Sequence, residues 1–199
     1  MSFVSKYNRI APIYELIDLP LELFFFRKWR KEALSNLSGK VLDVGVGTGR
    51  NLIYYPAGCR VIGIDKSEKM LRKAREKAKT MKNVTLYPMD AEQLDFPDNS
   101  FDYVVTTFVL CTIPDPVKAL KEMKRVLKPS GELIALEHVH SSSPFFDLME
   151  HLINPVLFFL LGDHTTRDTV RNIKKAGFTI KEEKSLAFRD VFRKIRAKP

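Results

Sequence analysis

The stretch that most constrains the fold runs Lys40-Val41-Leu42-Asp43-Val44-Gly45-Val46-Gly47-Thr48-Gly49-Arg50-Asn51. Val41, Leu42, Val44 and Val46 form the short apolar run that a central parallel strand needs, and glycines then fall at every second position. This predicts a strand ending in a tight turn, where glycine tolerates left-handed backbone and lets a ligand lie against the main chain. Arg60-Val61-Ile62-Gly63-Ile64-Asp65 is a second β-branched run, closed by a carboxylate. A parallel sheet places Asp65 beside the glycine turn, where it can accept hydrogen bonds from both hydroxyls of a ribose. The expected ligand is a nucleoside.

The spacing argues against a dinucleotide. The fingerprint Gly-x-Gly-x-x-Gly is not met, because Gly49 falls one place early and Arg50 takes the last glycine's position. Asp43, two residues before the first glycine, adds a carboxylate unsuited to a pyrophosphate. It suits a cation, such as the ammonium of an amino-acid moiety near a sulfonium.

Further along, strand and helix signals alternate. A short helix is expected from Arg50 until Pro56 stops it, and Ser67 caps a second over 67–80 with Met70, Leu71 and Ala74 on one face. Asn83–Tyr87 and Phe101–Thr107 read as strands, the latter after the turn Pro97-Asp98-Asn99-Ser100. A helix over Pro116–Lys128 ends at Pro129-Ser130-Gly131, and a fifth strand, Gly131–Val139, carries Glu137 and His138 at its ligand-facing tip. Thr165 or Thr166 is expected to cap a helix over Arg167–Lys175, followed by a hairpin of Phe178–Leu186 and Val191–Lys198.

Val41–Gly49, Gly63–Leu71, Asp90-Ala91-Glu92 and Phe96–Asp102, in that order, resemble the motifs of class I S-adenosylmethionine-dependent methyltransferases. The resemblance implies an α/β fold: one Rossmann-like, doubly wound, seven-stranded and mostly parallel sheet with one antiparallel strand and an N-terminal helical lid. Residues 1–199 would be a single domain, with 1–37 as lid segment and 140–176 covering the acceptor pocket. It further implies that Asp43, Gly45, Gly47, Gly49 and Asn51 border the methionine half of S-adenosylmethionine. Asp65 would hold the ribose, with Lys66 and Met70 alongside; Asp90, Ala91 and Glu92 would hold the adenine. Thr106, Thr107 and Phe108 would border the reacting methyl group, and the product would be S-adenosylhomocysteine. Tyr7-Asn8-Arg9-Ile10-Ala11-Pro12-Ile13-Tyr14-Glu15 is similar to the lid pattern Tyr-Asp-x-x-Ala-x-x-Tyr-Asp, with Asn8 and Glu15 in place of the aspartates. Tyr7 and Tyr14 could then close on a sulfonium by cation–π contact, or simply anchor a surface helix.

Composition sets the outer bounds. A chain of 199 residues with 45% hydrophobic content supports one buried core. Cys59 and Cys111 show no metal-ligand spacing and suit a reducing cytoplasm, and no secretory signal is read at the start of this sequence. The net charge of +9 favours polyanionic partners, either nucleic acid or anionic lipid. Leu21-Glu22-Leu23-Phe24-Phe25-Phe26-Arg27-Lys28-Trp29-Arg30-Lys31 runs from aromatic to basic. Such a segment suits either an interfacial helix at the inner membrane face or a helix packed on its own domain. Pro144–Leu161 is apolar but broken by Asn154-Pro155, too interrupted to span a bilayer.

Methyl transfer is an in-line displacement in which positioning supplies most of the catalysis, and a base is needed only where the nucleophile must lose a proton. His138 and Tyr14 are the candidate bases, with Glu137, Asp163 and His164 as further possibilities. The Asn/Asp-Pro-Pro-Tyr/Phe motif of enzymes acting on adenine amino groups is absent after the fourth strand, which argues against a nucleic-acid base. Phe108–Ile113, Leu136–Val139 and Asn154–Arg167 resemble membrane-associated thiol methyltransferase-like proteins, and Val44–Tyr55 is similar to bacterial phosphatidylethanolamine N-methyltransferases. Both likenesses imply a small-molecule or phospholipid acceptor and peripheral membrane association. A quinone-biosynthesis C-methyltransferase, an RNA methyltransferase and a non-catalytic cofactor-binding module stay open as alternatives.

Overall fold

A computed structural model describes residues 19–139, 143, 152, 167–187 and 190–199 of the chain. The described elements are, in order, α1 (Arg27–Leu34), β1 (Gly39–Val44), β2 (Cys59–Asp65), α2 (Glu68–Ala78), β3 (Val84–Pro88), β4 (Phe101–Thr107), α3 (Pro116–Val126), β5 (Leu127–His138), α4 (Thr169–Lys175), β6 (Thr179–Ala187) and β7 (Phe192–Lys198). A turn of α-helix, Leu19–Leu21, and a π-helical stretch, Glu22–Phe26, lead into α1.

The seven strands form one sheet in the order β3-β2-β1-β4-β5-β7-β6. β1 to β5 run parallel, and β7 inserts antiparallel between β5 and β6. The architecture is the doubly wound one read from the sequence. Alternation along β1 divides the core: Leu42 and Val44 pack on one face with Phe101, Val104, Leu120 and Met123, while Val41 packs on the other with Val61, Leu71, Val105 and Ile134. The strand order reverses between β1 and β4, so a ligand crevice opens at their carboxyl ends.

Local chemistry explains the helix boundaries. The Ser67 hydroxyl accepts a hydrogen bond from the Met70 N–H at 3.2 Å, and the Asp115 carboxylate accepts from Lys118 N–H at 2.9 Å. At α4 the cap is Asp168, which accepts from Arg171 N–H at 2.9 Å. Thr165 and Thr166, expected in that role, lie outside the described residues. The helix expected after the glycine turn is only a 3-10 turn, Leu52–Tyr54, because Pro56 drives Tyr55 into extended backbone. Likewise Leu127 and Lys128, read as helical, open β5: Pro129 disfavours helix at the residue before it, and Leu127 pairs with Phe101. Among the described residues no helix is long and apolar enough to cross a membrane.

Candidate active site

The glycine turn after β1 has φ values of +69° at Gly45, +56° at Gly47 and +80° at Gly49, a region L side chains resist. Two of these glycines permit close approaches. A Cβ on Gly45 would lie 2.2 Å from Val109 Cγ2, so its absence lets the loop after β4 close on the turn. A Cβ on Gly49 would lie 3.1 Å from the Ala74 Cα, so its absence lets α2 pack against the turn. At Gly47 a Cβ would instead project into open space, meeting nothing closer than 3.8 Å. That open side belongs to a cavity of about 450 Å³.

One wall of the cavity comes from the β2–α2 junction. Asp65 accepts hydrogen bonds from Gly47 N–H at 3.0 Å and Ser67 N–H at 2.7 Å, locking the turn to the end of β2 while its carboxylate borders the cavity. Burial pushes its pKa up, and the two amides oppose that shift. Lys66, which forms an ion pair with Asp90, and Met70 continue this wall, and Ala91 follows. The opposite wall is Thr107, Phe108, Val109, Ile113 and Pro114. Phe108 has a φ of +57°, unusual outside glycine, and is held there by packing. Its N–H donates to Leu136 O at 2.8 Å, its ring lies 4.3 Å from that of Phe26 and 5.9 Å from that of Phe192, and Arg30 Cζ stands 5.3 Å from its centroid. Arg167 braces the same wall by donating to the carbonyls of Leu110, at 2.9 Å, and Ile113.

Of the residues singled out in the sequence, Gly45, Gly47, Asp65, Lys66, Met70, Asp90, Ala91, Thr107 and Phe108 line the cavity. Asp43, Gly49, Asn51, Glu92 and His138 are not among the described lining residues. Glu92 turns to the next loop, accepting from Asp115 N–H at 3.0 Å and standing 3.8 Å from Lys118 Nζ. His138 packs edge-on to Phe192, with ring centroids 5.4 Å apart. Tyr7, Tyr14, Asp163 and His164 lie outside the described residues, as do residues 1–18 of the lid segment and most of the 140–176 cover.

Behind the glycine turn lies a buried polar network anchored by Arg30, to which the sequence reading gave no role beyond its place in the aromatic-to-basic segment. Arg30 Nη1 donates to Asn51 Oδ1 at 2.5 Å and to Thr107 Oγ1 at 2.9 Å. Asn51 Nδ2 in turn donates to both oxygens of Asp43, each at 3.0 Å, and to Thr107 Oγ1 at 3.1 Å. Burial raises Asp43 to about 6, against the pull of Asn51, Tyr55 and Arg30. Glu137, buried at the tip of β5, accepts from the N–H groups of Val109 and Leu110 and is raised by burial to about 7. The signal for Arg30 was present: it shares a helical stripe with Phe26, Trp29 and Leu34, all of them buried.

This turn, strand-tip carboxylate and strand order are those of the Rossmann-like class I methyltransferase fold, and residues 42–135 match the methyltransferase domain family model. The chain is 40% identical over 152 residues to demethylmenaquinone methyltransferase of Staphylococcus aureus, a match covering 72% of this chain and 63% of the relative. It therefore spans less than two thirds of that relative's length. Among solved structures, an S-adenosylmethionine-dependent methyltransferase of Thermotoga maritima aligns over 98% of both chains at 25% identity and a TM-score of 0.75. The Haloferax volcanii complex of the Trm112 methyltransferase activator with a methyltransferase contains a chain of the same fold, with 96% coverage of both chains, 19% identity and a TM-score of 0.76.

The cavity suits the cofactor of this class. It has the size of a small-molecule site, an open side at Gly47 that a Cβ would occupy, and the Asp65 carboxylate on its border.

Proposed function

We propose that the chain transfers a methyl group from S-adenosylmethionine to a small apolar acceptor, with a ring carbon of a quinol as the favoured nucleophile. The observation that carries this reading is the division of the cavity. Its charged lining groups are Asp65, Lys66 and Asp90, while the stretch after β4 contributes Phe108, Val109, Ile113 and Pro114 beside the uncharged hydroxyls of Thr107 and Thr112. The name of the Staphylococcus aureus relative supports the quinol.

Bound in this cavity, the cofactor supplies a methyl group on a sulfonium for in-line transfer. The chain's own work is positioning. Gly45 and Gly47 offer backbone to the methionine half, Asp65 accepts from the ribose, Asp90 and Ala91 flank the adenine, and Thr107 and Phe108 border the methyl group. A phenol-like hydroxyl ionises near pH 10, so a quinol needs help to lose its proton. Tyr14 and His138 are the candidates; His138 stands edge-on to the Phe192 ring and is not among the described lining residues.

A second reading, a phospholipid amine or a thiol presented at a membrane, draws on the segment before α1. There Leu23 is 57% and Phe24 78% exposed, next to the exposed cations Arg27, Lys28 and Lys31. Labelled S-adenosylmethionine, offered with a demethylnaphthoquinol, phosphatidylethanolamine vesicles or a small alkyl thiol, separates the two. Label in the quinol is expected. Label only in lipid or thiol would replace the first reading with the second, and no calorimetric binding of S-adenosylmethionine would overturn both.

A further inference from the structure

We propose that Arg30 is a positioning residue for the cationic end of the cofactor: it fixes the orientation of the Asn51 amide, and through that amide keeps the Asp43 carboxylate charged beneath the glycine turn. The proposal rests on the cofactor assigned above. A guanidinium can only donate, so the Asn51 atom that meets Arg30 Nη1 at 2.5 Å must be the carbonyl oxygen. That leaves the amide nitrogen facing Asp43, where it serves both carboxylate oxygens at 3.0 Å. With an apolar side chain at position 30 the amide could rotate and turn its oxygen on the carboxylate.

The relay is fixed at both ends. Thr107 Oγ1 accepts from Arg30 and from Asn51, tying the relay to the cavity wall. Glu22 accepts from Arg30 Nε at 3.3 Å and pairs with Arg50 at 2.9 Å. Arg30 is 6% exposed, Asn51 2% and Asp43 0%, so solvent does little to screen these charges. The groups acting on Asp43 are Asn51, Tyr55 and Arg30, which favour or meet its charge, and Asp65 across the turn, which opposes it. Without the relay Asp43 loses two of the three groups that favour its charge, which moves it toward the protonated form and weakens a counter-charge for the sulfonium. S-adenosylhomocysteine keeps the ammonium but lacks the sulfonium charge, so it loses less.

The test is calorimetric titration of S-adenosylmethionine and S-adenosylhomocysteine into the whole protein and its variants, at about pH 6.5, pH 7.5 and pH 9. Arg30→Met should weaken S-adenosylmethionine about tenfold at the two lower pH values and S-adenosylhomocysteine less than about threefold, with most of the loss recovered near pH 9 as Asp43 ionises. Asn51→Ala should give the same pattern with Arg30 in place, which keeps the test alive if Arg30→Met does not fold. Arg30→Lys, still a pure donor but with a single donor group, should lose less than Arg30→Met and keep the same pH pattern. Equal losses for both ligands at every pH, or no loss, would overturn the relay. No binding by the unaltered protein would overturn the cofactor assignment itself, and the relay with it.

Discussion

On one side of the cavity Asp65, Lys66, Ser67 and Met70 follow one another along the β2–α2 junction, whereas behind the glycine turn Arg30, Asn51, Asp43 and Thr107 come from separate parts of the chain. Asn51 lies 21 positions from Arg30, and Thr107 lies 77 from it. The first wall is assembled by local rules: a strand ends, a carboxylate caps the turn, a serine starts the helix. The second exists only when α1, β1 and β4 have docked. A site can therefore be half written in local sequence and half in tertiary packing, and the two halves should respond differently to substitution.

The largest effect is expected on the locally built wall. Asp65→Ala removes the acceptor for Gly47 and Ser67 N–H as well as the proposed ribose partner, and should weaken S-adenosylmethionine at least tenfold, about 1.5–3 kcal/mol by calorimetry. Unchanged affinity would mean that the ribose is held elsewhere.

The packed side should show itself in pH dependence. Glu137 has an ordinary value of 4.5, and burial raises it to about 7 in the folded chain, so the native state binds the extra proton between those values. Its contribution to stability is complete below about pH 4.5 and is lost as pH rises through about 7. Asp43, raised to about 6, adds to the same decline at lower pH. Glu137→Gln should flatten the upper part of that curve, by on the order of 2 kcal/mol between pH 5 and pH 8 in urea unfolding. Parallel curves for the variant and the unaltered protein would remove Glu137 from the account.

Smaller effects sharpen the contrast. Ser67→Ala deletes the cap on Met70 N–H and should cost about 1 kcal/mol in thermal unfolding without ligand, as for an ordinary N-cap. A loss of several kcal/mol would show that the β2–α2 junction is not the locally determined piece described. Lys66→Met breaks an ion pair whose side chains are 55% and 37% exposed, and should change stability by less than about 1 kcal/mol, less still in high salt.

Legibility in the sequence follows the same division. β4 was read at its observed bounds, Phe101–Thr107, because an apolar run between turn signals leaves little freedom. Asp65 and the glycines were legible because their spacing encodes their geometry. Arg30 was not, since a cation inside a basic segment reads as solvated until Phe26 and Trp29 are seen to pack against Phe108 and Phe192. Glu92 adjoins two residues that line the cavity, yet its carboxylate caps the approach to α3, a choice made by the position of Asp115 rather than by neighbouring residues. Leu127 was read as helical from its spacing, and the pairing with Phe101 overrode that pattern.

Phe192 touches Phe26, Trp29, Phe108 and His138 from the start of β7. A ribosome makes the glycine turn, Asp65 and Asp90 long before it makes this ring. A growing chain thus has the β2–α2 side of its cavity in hand while the aromatic backing of Phe108 is still unsynthesised. The surface that Phe108 contributes is therefore completed last, when β7 slots between β5 and β6.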